Sequence, residues 1–275
     1  MEYFVILISA LFHAIWNSII KESGDKLLAF TAIRAVGLLF GIFVVFFLPP
    51  LRMEAIPYLT VASFIHFLYF WLLLNTYRVG DFSQVYPISR GCAPLIVLIL
   101  GALFAGEYLS PFQIVGTVMI SLGILSLSFS KGKLAVIPLG YAIATAVSVA
   151  GYTVVSGIGV RIANSFLIYA GWLEVISGCA VVLFTVIRRK REALIYARAY
   201  WKQGIFAGLL SVSGFTAALW AMKTAPLAPI AALRETSIIF AAVIGVFMLK
   251  EGYAKYRILA ACIVVIGIAI LANNA

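Results

Sequence analysis

Uninterrupted apolar runs, each about as long as a bilayer core is thick, recur from one end of this chain to the other. A helix needs roughly 20 such residues to cross, because backbone N–H and C=O groups in lipid must pair within their own segment. Spans of that length fit near 3–20, 27–48, 57–77, 84–104, 112–129, 138–158, 166–187, 203–223, 229–249 and 257–272. The connections are short, so no soluble domain is expected. The runs are continuous rather than alternating with period two, which disfavours a strand barrel. Hydrophobic residues make up 64% and charged residues 11% of the chain, against roughly half and a quarter in a soluble domain. The expected fold class is an all-α membrane protein of ten transmembrane helices.

The first span follows Met1, Glu2, Tyr3 and Phe4 with no basic leader. It carries His13, Trp16 and Asn17, which the apolar core of a secretory signal would avoid, so it reads as a retained helix. Cys92, Cys179 and Cys262 all fall inside spans, where free Cys behaves as a small hydrophobe. Neither a disulfide framework nor a metal site is expected from them.

A net charge of +10 would point a soluble protein toward nucleic acid, but in a membrane protein the distribution among loops carries the meaning. Loops after odd-numbered spans hold Lys21, Lys26, Arg78, Lys131, Lys133, Arg188, Arg189, Lys190, Arg191, Arg198, Lys202, Lys250, Lys255 and Arg257. Loops after even-numbered spans hold only Arg52, Arg161 and Lys223. The odd loops are therefore expected in the cytoplasm, with both termini on the opposite, periplasmic side. The run Arg188–Glu192 reads as a topology determinant, or as a patch for anionic lipid, and no nucleic-acid partner is expected.

The chain also repeats itself. At one constant shift Glu107 falls on Glu251, Gly101 on Gly245 and Arg90 on Arg234; a second register places Ser9, Phe12 and Trp16 on Thr145, Ser148 and Tyr152. Residues 1–131 and 132–275 thus read as two five-helix units. Five is odd, so the second unit starts on the opposite side of the membrane, giving inverted-topology repeats of the transporter kind. Small residues at seven-residue spacing, Gly116 with Gly123 and Ala260 with Gly267, mark close-packing faces on spans 5 and 10, or a homodimer face. Ser110-Pro111-Phe112-Gln113 has the form of a capped helix start.

These repeated segments, AGEYLSPFQIVGTVMISLGIL and LKEGYAKYRILAACIVVIGIAI, together with the opening HAIWNSIIKES, resemble the EamA branch of the drug/metabolite transporter superfamily. The resemblance covers nearly the whole chain. Within the branch, the length, span count and aromatic lining are similar to YddG-type exporters of aromatic and other amino acids. It implies a basket whose solute cavity is lined by spans 1, 3, 4, 6, 8 and 9, with 5 and 10 as a rear scaffold, in a bacterial inner membrane. Small multidrug relatives use a Glu in the middle of helix 1 for proton coupling; here that helix has only Glu2 at its tip. Passive facilitation is therefore expected over proton-driven antiport, with a coupled drug or metabolite exporter as the alternative.

Polar and aromatic stripes mark the faces where a solute would sit. Ser9, Phe12, His13 and Trp16 share a side of span 1, with Asn17 beside them, and Thr145, Ser148 and Tyr152 share the matching side of span 6. Ser63, His66, Tyr69, Phe70 and Tyr77 align on span 3, and Ser213, Thr216 and Trp220 on span 8. Rings supply contact area, and hydroxyl or indole groups fix orientation. The expected solute-binding residues are His13, Trp16, Asn17, His66, Tyr69, Tyr77, Tyr86, Ser148, Tyr152 and Trp220. Trp71, Trp172 and Trp201 are read as belt or packing residues.

Arg90 and Arg234 stand among prolines, in VYPISRGCAP and APLAPIAALRE. Each either snorkels to its own interface, or stabilises a gate of the pathway, or attracts a solute carboxylate. Glu174, Glu235 and Arg34 are isolated charges inside spans and need partners; the sequence leaves the pairing open. No Gly-x-Ser-x-Gly, His-Glu-x-x-His or paired-acid motif is present, so an enzyme is disfavoured. No cofactor is expected, and the partners are a small solute, with amino acids foremost, and the lipid bilayer. Monomer and homodimer both remain open.

Overall fold

The computed structural model describes residues 1–128, 135–241 and 255–273. Gly245, Lys250 and Glu251 of the second repeat motif lie outside them, as do Lys131 and Lys133. Among the described residues the elements are all helical: α1 (Glu2–Glu22), α2 (Lys26–Phe47), a 3-10 turn (Met53–Ala55), α3 (Ile56–Val79), α4 (Phe82–Phe104), α5 (Pro111–Ser126), α6 (Val136–Ile162), α7 (Phe166–Thr224), α8 (Leu227–Glu235) and α9 (Lys255–Ala272). Six of these are long and apolar enough to cross a membrane, and two shorter apolar helices join them.

α7 departs from the expectation of two spans joined by a loop. It is helical throughout 166–224 except at Arg189 and Tyr200, whose backbone angles break it into two membrane arms and a basic segment between. The sequence between the arms, Arg188–Tyr200, contains neither Gly nor Pro and is rich in helix formers, so it stays helical where a loop was expected. At its start Arg189 meets Asp25 at 2.7 Å. Asp25 also accepts from the Leu28 N–H at 3.1 Å, as the N-cap of α2. That hydrogen bond, first, and Arg189, second, hold the Asp25 carboxyl below its usual range. The cap is thus intact at neutral pH and lost as acid protonates it.

Contacts at the two ends sort the connections as the charges do. Asp25 and Arg189, after spans 1 and 7, meet at one end. At the other, Asn164 donates to Pro50 O at 3.1 Å and Arg161 donates to Ala225 O at 3.0 Å, joining the connections after spans 2, 6 and 8.

Matching spans of the two halves run antiparallel, as opposite orientation in the membrane requires. Along α2 and the first arm of α7, Gly41 faces Gly171, Arg34 faces Glu174, Thr31 meets Thr185 at 2.8 Å, and Asp25 meets Arg189. Along α5 and α9, Gly116 faces Gly267 and Gly123 faces Ala260. The small-residue stripes of spans 5 and 10 therefore pack on each other. The second register is also visible in space: Ser9 donates to Gly214 O at 2.7 Å, and its counterpart Thr145 meets Thr76 at 2.9 Å. α5 starts with the expected capping box, Ser110 and Gln113 bonding each other's backbone.

A side chain on Gly267 has nowhere to go, since a Cβ there would lie 2.8 Å from Ile120 and 3.0 Å from Gly116 O. Gly267→Leu is expected to destabilise the α5–α9 seam by about 1–3 kcal/mol, read as a lower unfolding midpoint in detergent.

Candidate functional site

A cavity of about 140 Å³ lies among α1–α4, α6, both arms of α7 and α8. A buried water occupies about 10–15 Å³ on this measure, so the space equals roughly ten waters. α1 contributes Ser9, His13 and Trp16, spaced four and three residues apart on one face. α3 contributes Ser63, His66, Tyr69 and Phe70, and α6 contributes Tyr152. His66 stacks on Tyr152 with centroids 4.8 Å apart, Tyr69 reaches the same tyrosine at 5.8 Å, and His13 meets Trp16 edge-on at 4.9 Å. These rings form two groups in the lining, one on α1 and one between α3 and α6.

Charged groups line the same cavity. Arg34 of α2 donates to Glu174 of α7 at 2.6 Å and to Ser177 one turn on. Glu174 is 1% exposed, and its carboxylate fills the space that a side chain on Gly37 would occupy. A second pair, Arg90 of α4 with Glu235 of α8, meets at 2.6 Å with both side chains buried. The contact is an ion pair between Arg90 Nε and Glu235 Oε2. Arg90 thus turns inward to an acid rather than snorkelling. Arg234 also lines the cavity, and among the described residues it makes no hydrogen bond or ion-pair contact. Two neutralised pairs and one further guanidinium leave the described lining net positive.

α8 ends in the membrane interior. The Thr236 N–H donates to Leu233 O at 3.2 Å and its hydroxyl to the same carbonyl at 2.6 Å, a tightened turn after which the chain resumes as helix over 237–241. The break follows Arg234 and Glu235 directly, so the end of a helix presents both charges. α4, despite Pro87 and Pro94, continues unbroken through Arg90 to Phe104.

Of the residues expected from sequence, His13, Trp16, His66, Tyr69, Tyr152, Arg90 and Arg234 line this cavity. Asn17, Tyr77, Tyr86, Ser148 and Trp220 do not. Asn17 donates to its own helix at His13 O, 2.7 Å away, and Ser148 is buried with its hydroxyl on Thr145 O at 2.7 Å. Tyr77 and Tyr86 form a ring pair at 6.4 Å, with Arg90 6.0 Å from the Tyr86 ring, behind the cavity wall. Trp220 packs against the main core, because the second arm of α7 turns Ser211, Gly214 and Phe215 to the cavity in place of the Ser213–Thr216–Trp220 face. Trp71 and Trp201 are exposed at 57% and 55%, as belt residues are, while Trp172 packs on the core.

Sequence reading missed the contribution of α2 and the first arm of α7. Phe30, Arg34, Glu174 and Ser177 all line the cavity, so the lining is not confined to spans 1, 3, 4, 6, 8 and 9. Lone charges in apolar spans were the available signal. Arg34 and Glu174 stand 140 residues apart, and no local pattern links them.

A family model described as the EamA-like transporter family matches residues 1–129 and 136–273. Among the solved structures that match, a crystal structure described only as that of a protein aligns with a TM-score of 0.73 and 16% identity, covering 98% of this chain and 94% of that one. At that identity the likeness shows the fold alone. No curated protein matches the chain.

Proposed function

Because the chain belongs to the EamA-like transporter family, we propose that it moves small carboxylate-bearing metabolites, aromatic and other neutral amino acids foremost, out across a bacterial inner membrane by alternating access. The observation that carries this reading is a cavity lined by aromatic rings and by a net positive set of charges, the charge left over being Arg234. A guanidinium with no ion-pair partner among the described residues suits a carboxylate. The stacked His66 and Tyr152 rings suit a planar or apolar body.

Both matched segments contribute to the walls, so solute would sit between the two inverted units. Rocking of the units about that point exposes it to each side in turn. Both termini would then face the periplasm, following the basic residues of the odd-numbered loops.

Trp16→Ala and Tyr152→Ala each remove a ring from the wall without uncovering a buried charge. Each is expected to weaken solute binding by roughly threefold to tenfold, the effect of about 0.5–1.5 kcal/mol per ring contact, with the unfolding midpoint nearly unchanged. Counterflow of radiolabelled Phe, Met or Thr in liposomes, screened beside sugars, nucleosides and cationic drugs, tests the whole reading. Full activity of both variants would remove these rings from the site, and counterflow of cationic drugs alone would remove the carboxylate.

A further inference from the structure

We infer that Glu174 is a proton site coupled to the solute: a solute carboxylate entering the cavity draws Arg34 away from Glu174, and the carboxylate so released takes a proton from water. This rests on the transport reading above and adds an energy source to it. It departs from the passive mechanism expected from the lack of an acid in the middle of the first helix, because the structure supplies an acid from α7 instead.

The geometry favours such an exchange. Arg34 and Glu174 both line the cavity, but the Arg34 side chain is 13% exposed and that of its acid partner 1%. The guanidinium is therefore the group that an entering anion meets first. Arg34 and Arg234 line the same cavity as His66, so a carboxylate anchored at Arg234 enters the space that Arg34 borders. Glu174 has little room to follow, since its carboxyl lies against the bare backbone of Gly37. Ser177 does not replace the lost charge, as its hydroxyl donates to Leu173 O at 2.7 Å.

A buried carboxylate stripped of its paired cation is more favourable protonated. The step balances: one proton passes from bulk water to Glu174, and the guanidinium moves from one carboxylate to another. The groups facing this site are Arg34 from α2, His66 and Tyr69 from α3, His13 from α1, Tyr152 from α6, Arg90 from α4 and Arg234 from α8. The two histidines are the competing proton acceptors.

The test uses the full chain in detergent, with phenylalanine as probe and phenylalaninol, which lacks the carboxylate, as control. Calorimetric titration in buffers of different ionisation enthalpy counts the protons bound with each solute. About one proton per phenylalanine and none per phenylalaninol is expected, with affinity for phenylalanine falling about tenfold per pH unit above neutral. Glu174→Gln is expected to abolish the proton count, and His66→Gln to retain it. Phenylalanine binding with no proton uptake in the unaltered protein overturns the coupling and leaves the transport reading standing. A proton count lost in His66→Gln and kept in Glu174→Gln also overturns it. No binding or counterflow of any solute in the screen removes the transport reading, and the coupling with it.

Discussion

Arg90→Ala is expected to destabilise the bundle by about 3–5 kcal/mol, among the largest effects of a single substitution in this chain. Glu235 is 5% exposed, and Arg90 touches it at 2.6 Å from a different helix. Removing the guanidinium leaves an acid in the interior with no cation in contact. Arg234 beside it acts on the same carboxylate through its charge but makes no ion-pair contact, and neighbouring positions on a helix do not face each other. The variant should unfold at a markedly lower denaturant or temperature midpoint in detergent. Arg90→Met combined with Glu235→Leu should recover most of the loss, since a buried pair replaced by apolar groups of similar volume is often neutral. A single variant as stable as the original protein would mean that the pair does not hold α4 to α8.

Glu107→Ala is expected to cost about 2–3 kcal/mol, through charged hydrogen bonds at a joint between the halves. Gly106, at φ +63, reverses the chain after α4, and the Glu107 N–H then closes onto Gly101 O at 3.2 Å. The turn aims the carboxylate at the first residue of α8, where it accepts from the Leu227 N–H at 2.9 Å. It meets Arg161 at the end of α6 at 2.5 Å. One acid thus caps a helix N-terminus, where negative charge is favoured, and neutralises a cation. Glu107→Gln should lose less than Ala, because an amide oxygen still accepts from Leu227. Equal midpoints for Ala and the unaltered protein would sink this account. Gly106→Ala should also destabilise, since the left-handed backbone there disfavours any side chain.

The two predictions differ in how visible they are from sequence. Glu107 stands in a repeated motif, and the duplication marks it as part of a reused unit. What it touches, Arg161 and the start of α8, lies 54 and 120 residues away. Arg90 was visible as an arginine among prolines, with interface and interior both open to it. Only the packing of α8 against α4 brings Glu235 to it and settles the matter.

Much of the candidate site was legible because helical spacing is local. His13 and Trp16, or His66 and Tyr69, lie on one face by virtue of three-residue spacing alone. The faces that failed did so through rotation. Trp220 sits on a polar stripe, yet the close seat of Gly214 on Ser9 turns the second arm of α7 so that Ser211 and Phe215 meet the cavity. Small residues decide how near two helices approach and hence which face looks inward, and that depends on the partner as much as on the helix itself.

Apolar length, the parity of the repeat and the sorting of basic residues were enough, on the amino-acid sequence alone, to specify a membrane-spanning helical bundle in two opposed units. These follow from the absence of water in the bilayer, which obliges each segment to satisfy its own backbone. Which acid meets which arginine, and that α2 and α7 enter the cavity wall, came only with the tertiary structure. A buried ion pair forms between groups that packing brings together, and the chain carries no local record of contacts made across more than a hundred residues.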